Sequence, residues 1–113
     1  MKTPLEVASN IERIIEALRV EGLRSEELIK AKAESMGEYD RLVAVTTSNM
    51  RGKGEPVTLV NKLSGEFTHK ALIDKIVAEE TLKAHYSRIG VLEAQLNGYQ
   101  SINRYLQSTS RGE

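Results

Sequence analysis

A mainly α fold is predicted by three features of this 113-residue sequence. Two long stretches repeat apolar residues three and four positions apart, a turn-rich segment separates them, and the second stretch keeps a four-and-three alternation for four heptads. Two long helices, about 4–45 and about 68–107, are expected around a connector at about 46–67. A frayed tail at 108–113 completes a single helical domain over 1–113. The expected arrangement is an antiparallel hairpin or coiled coil that assembles as an oligomeric helical bundle.

The first helix opens at Thr3-Pro4-Leu5-Glu6. The Thr3 hydroxyl suits the amide of Glu6, the Glu6 carboxylate reaches back to the amide of Thr3, and Pro4 fits the first helical position. Ala8, Ile11, Ile15, Leu18, Gly22, Ser25, Ile29, Ala33 and Met36 then follow at steps of three and four and form one helical face, with Glu12, Arg13, Glu16, Arg19 and Glu21 largely on the others. Gly22 followed by Ser25 offers a stop and a new cap, but both fall on the stripe, and Glu26 with Lys30 makes a favourable pair across the region. One continuous helix is the expectation.

Beyond Tyr39 the run Leu42-Val-Ala-Val-Thr-Thr47 is rich in β-branched residues, which suit a strand, so the helix is expected to fray there. Ser48 to Pro56 reads as a turn-rich connector with two glycines and a proline. Within 42–60 two readings stay open. One is a short β-hairpin that includes Val57–Val60; the other is a short helix, Leu59 to Ser64, capped by Thr58 and stopped by Gly65.

In the second long helix Thr68 is the expected cap. Ala78, Leu82, His85, Ile89, Leu92, Leu96, Tyr99, Asn103 and Leu106 alternate four and three apart, which is a coiled-coil seam. Leu72, Ile73, Ile76 and Val77 widen the apolar surface at its start. Helices of about 40 residues run ~60 Å and cannot cover their own stripes alone, so self-association is expected.

Composition narrows the function classes. With no cysteine there are no disulfides, thiolate zinc sites or cysteine nucleophiles. The longest aliphatic run, Leu42–Val45, is far below the roughly 18 residues of a membrane span, so no membrane partner is expected. No apolar stretch follows Lys2 to make a signal peptide, and neither a Met-Gly start nor a prenylation box is present, which leads to a cytoplasmic expectation. Gly52-Lys53-Gly54 lacks the glycine spacing and the following Ser or Thr of a phosphate loop. Neither His69 nor His85 has a second His, Asp or Glu at i+3 or i+4, so no metal and no cofactor are expected. His85 on the seam reads as a core or interface histidine bonded to a neighbour, and Asn103 as a register-setting seam residue. Glu79 is answered by Lys83, and no serine sits in a nucleophile elbow. The expectation is a protein that is not an enzyme.

Charge is balanced at 16 basic and 16 acidic residues. Residues 1–50 carry 7 basic against 9 acidic groups, whereas residues 51–113 carry 9 against 7. Arg51, Lys53 and Lys62 lie in or beside the connector, and Lys70 and Lys75 open the second helix, where they can reach phosphates. Tyr86, Arg88, Tyr99, Arg104 and Tyr105 make an alternative set that can line a pocket between subunits, stacking a base and pairing phosphates.

Gly54-Glu-Pro-Val-Thr-Leu-Val-Asn-Lys-Leu63 and the later Leu96-Asn-Gly-Tyr-Gln-Ser-Ile-Asn-Arg-Tyr-Leu106 together resemble small helical proteins encoded by tailed bacteriophages. The layout of a long helix, a Gly-Lys connector and a helix bearing Tyr86, Ile89, Leu92 and Glu93 is similar to the UvsY-type phage recombination mediators. That resemblance, over about 36–106, implies an oligomer in the cytoplasm of an infected bacterium. It would bind single-stranded DNA and work with a recombinase or a single-strand-binding protein. Arg51 and Lys53 match the basic connector; Lys62, Lys70 and Lys75 follow from proximity alone. The rival expectations are an anti-defence protein that sequesters a nucleotide signal or a host protein at intersubunit pockets, and a purely structural coiled-coil scaffold.

Overall fold

The computed structural model describes residues 3–110. They form two helices, α1 (Pro4–Gly52) and α2 (Val57–Ser110), and no strand. The capping box at the start of α1 is present: the Thr3 amide donates to Glu6 Oε2 and the Glu6 amide to Thr3 Oγ1, both at 3.2 Å.

The connector contracts to residues 53–56, and neither a β-hairpin nor a separate short helix occupies 42–60. Residues 42–52 complete α1, and 57–67 open α2. Two sets of contacts account for this. The chain reverses in a closed turn, in which the Gly54 amide donates to the Arg51 carbonyl (3.0 Å) and the Glu55 amide to the Met50 carbonyl (3.3 Å). Gly54 stands at φ 77°, the left-handed position that ends a helix in a Schellman motif. Helix on both sides of this turn then buries Met50 and Val60, and packing of this kind overrides the modest propensity penalty of β-branched residues.

Thr68 is therefore not a cap. It lies inside α2, 3% exposed, and its hydroxyl donates to the Ser64 carbonyl at 2.7 Å. Residues 108–110, expected in a frayed tail, belong to α2; the remainder of that tail, 111–113, lies outside the described residues.

Contacts divide the chain into two compact units. The turn unit, Glu27–Lys83, holds the hairpin turn and buries Met50, Val60, Ser64, Thr68, Ala71 and Leu82. Its helix segments run antiparallel, with Thr47 Oγ1 3.2 Å from Ser64 Oγ and the Lys75 ammonium 5.0 Å from the Tyr39 ring centroid. The terminal unit is the described part of Met1–Glu26 with Ala84–Glu113. Here Val7, Ile14, Glu21 and His85 are buried. The α2 seam from Ala78 to Leu106 faces inward at every expected position, buried or half-buried.

The α1 stripe is displaced by one flank. Ile11, Leu18 and Ser25 face α2, but Ala8, Ile15, Gly22, Ile29, Ala33 and Met36 are exposed, and their places are taken by Val7, Ile14, Glu21, Leu28 and Ser35. Glu21, which the apolar pattern puts on the solvent side, lies inside with them. Two surface pairs also choose different partners: Lys30 meets Glu34 (3.9 Å) rather than Glu26, and Lys83 meets Glu80 (3.3 Å) rather than Glu79.

Candidate functional site

All five basic residues expected to contact nucleic acid fall in the turn unit, but they do not form one patch. Arg51 is exposed in the last turn of α1 and Lys53 in the connector, while Lys62 and Lys70 are exposed on α2. None of these four has a carboxylate within ion-pair distance among the described residues. Lys75 is half-buried with its ammonium over the Tyr39 ring, so its charge is already engaged.

Lys53 shares an open groove of about 370 Å³ with Leu42, Thr46, Asn49, Met50 and Phe67. Phe67 is 70% exposed. Lys70 lies one turn beyond it on the same side of α2. Lys62 lines a different groove with Gly65, Glu66 and His69. An aromatic face beside free cations is what single-stranded nucleic acid uses, since bases stack while ammonium groups meet phosphates. The expectation from sequence missed Phe67, although it is the one phenylalanine in the chain and sits among the candidate lysines.

The alternative set lies in the terminal unit and is spread around α2. Tyr86 is half exposed and tilted against the His85 ring at 5.6 Å, Tyr99 is half-buried on the seam, and Tyr105 is 67% exposed. Arg88 is committed to Glu21 at 3.2 Å, and Arg104 donates to Ser101 Oγ at 3.3 Å. Within one chain they do not converge.

A further polar constellation does converge. His85, 1% exposed, places Nδ1 2.9 Å from Glu21 Oε2 and Nε2 2.7 Å from Ser25 Oγ. Arg88 and Arg24 approach the same carboxylate at 3.2 and 3.7 Å. Burial pushes the Glu21 carboxyl up. Hydrogen bonds from Arg88 and His85, with the charges of Arg88 and Arg24, outweigh that push and hold it below its ordinary value. An ionised carboxylate only accepts, so His85 Nδ1 donates to Glu21 Oε2, while Ser25 Oγ, which also reaches the Glu21 carbonyl at 3.4 Å, closes the cluster at Nε2.

The order Ser–His–Glu is that of an acyl-transfer relay. Such chemistry also requires amide donors for the developing oxyanion. Ser25 stands in the middle of α1, where the surrounding amides are committed to helical carbonyls. Every buried side-chain nitrogen and oxygen among the described residues has a partner. The cluster is a satisfied polar layer between the two helices, joining Glu21 and Ser25 of α1 to His85 and Arg88 of α2.

The chain matches no known protein family, no curated protein and no solved structure.

Proposed function

We propose that this chain is a non-enzymatic phage accessory protein that works as an oligomer and binds single-stranded DNA at the hairpin-turn end of its turn unit, in company with a recombinase or a single-strand-binding protein. One observation supports the DNA reading: Lys53 and the exposed Phe67 share a groove, and Arg51, Lys62 and Lys70 elsewhere in the same unit have no carboxylate within ion-pair distance among the described residues. The phage setting, the infected bacterial cytoplasm and the recombination partners rest on the resemblance of 54–63 and 96–106 to phage proteins. Lys75 is left out of the contact set because Tyr39 already holds it.

The test is binding to a fluorescent single-stranded oligonucleotide across a salt series, with light scattering on the same sample. Affinity falls linearly in log salt, and the double variant Arg51→Gln, Lys53→Gln lowers the slope by about 1.4, two cations at roughly 0.7 each. Phe67→Ala weakens binding by about 1–3 kcal/mol with little change in slope. Unchanged affinity in the double variant removes the site. No binding at low salt by assembled protein removes the DNA reading and leaves the scaffold.

A further inference from the structure

The terminal unit leaves a second helical seam of α2 uncovered. Ala84, Val91, Gly98 and Tyr105 recur every seven residues and all are exposed, Val91 at 58% and Tyr105 at 67%. Arg88, Gln95 and Ile102 fall between them at steps of four and three, so this face repeats the geometry of the seam already buried against α1. At Gly98 the missing side chain opens a mainly apolar groove of about 220 Å³, lined by Gln95, Tyr99 and Ile102. Between Ile89 and Asn103 the only charged residue is Glu93.

We infer that this face docks on the same face of a second copy, antiparallel, about a two-fold axis near Gln95. The sizes along the face dictate the direction: small, large, small, large at Ala84, Val91, Gly98 and Tyr105. Antiparallel pairing about Gln95 sets Val91 into the groove at the partner's Gly98 and Ala84 against the partner's Tyr105, a large residue always meeting a small one. A parallel, in-register pair opposes Val91 to itself and Gly98 to itself, which leaves gaps beside bulges. It also opposes Arg88 to Arg88. Antiparallel pairing instead lays the Arg88 stem along the partner's Ile102 while its guanidinium stays on Glu21.

Val91, Gln95, Gly98 and Ile102 bring no charge to this face, and its one cation, Arg88, is paired with Glu21 within the chain, which suits another such face. Area agrees. The chain exposes 8143 Å², against the roughly 6,200 Å² of a compact monomer of 12.6 kDa. Spread over the whole chain, that excess is more than twice the roughly 800 Å² each partner buries in a standard interface, so surface enough for a partner is exposed. The inference deepens the oligomeric half of the proposed function and is independent of the DNA half.

The absence of cysteine makes disulfide trapping clean. Under mild oxidation Gln95→Cys cross-links to itself, and Ala84→Cys mixed with Tyr105→Cys gives a mixed dimer. Ala84→Cys alone does not cross-link, since its copies stand about 30 Å apart along the helix. Val91→Glu, at an exposed site that preserves the helical circular dichroism, halves the mass seen by light scattering. A wild-type monomer at tens of micromolar overturns the inference together with the oligomer. An oligomer that resists Val91→Glu, or an Ala84→Cys variant that cross-links alone as fast as the mixture, overturns this face and orientation while leaving assembly intact.

Discussion

At Glu21 a carboxylate has left water for the seam between two helices, and its neighbours set its behaviour with pH. Its folded value lies below the ordinary one, so it contributes stability above the ordinary carboxylate range and loses it as pH falls through the depressed value. The midpoint of thermal unfolding, followed downward from neutrality, should fall more steeply for the native chain than for Glu21→Gln, and parallel curves would show that Glu21 does not carry the acid-side loss. His85 is the other half of the layer. His85→Ala leaves a hole and strips a partner from both Ser25 and Glu21, and urea denaturation should register a loss of about 2–4 kcal/mol. None of this burial is visible locally: Glu21 reads as one more charge on a solvated face until His85 and Arg88, 64 and 67 residues away, are brought to it.

Among the elements, the two helices and the turn separate what local chemistry fixes from what packing fixes. Thr3 and Glu6 cap α1 through bonds that span three residues, so the start was legible in the sequence. At the other end Gly54 stands at φ 77° and Gly65 lies inside α2, each with nothing within 4 Å of an added Cβ. Alanine should therefore act in opposite directions. Gly54→Ala is expected to destabilise by about 1–2 kcal/mol through backbone strain, and Gly65→Ala to stabilise by up to about 1 kcal/mol through helix propensity. Chemical denaturation of the two variants checks both signs. A connector as long as 46–67 would leave both substitutions nearly silent, whereas the turn at 53–56 makes Gly54 decisive. The Leu42–Thr47 run looked like a strand because β-branched residues favour one, and it is helical because burial of Met50 and Val60 on either side of the turn outweighs a few tenths of a kcal/mol per residue.

For the whole molecule the controlling fact is a small core beside a large exposed apolar surface. Ile15 (52%), Leu23 (66%), Val77 (58%) and Val91 (58%) remain exposed, while few side chains are fully buried. Assembly that hides such surface ties folding to association, so the unfolding midpoint should rise as protein concentration is raised tenfold and tenfold again. A constant midpoint would identify a stable monomer. No helix is long and apolar enough to cross a membrane among the described residues.

The sequence alone was enough for two long helices, the cap at Thr3, and the α2 seam from Ala78 to Leu106, because helical periodicity and capping are decided within a few residues of chain. It also marked His85 as a seam residue bonded to a neighbour, and the basic residues beside the connector. Only the tertiary structure decided which flank of α1 faces inward, that Phe67 stands beside Lys53 while Lys75 turns to Tyr39, and that Glu21 is buried. Each of these depends on groups brought together from opposite arms of the hairpin. An apolar pattern ranks faces by hydrophobicity, and a charged residue takes an inward place only when distant partners satisfy it.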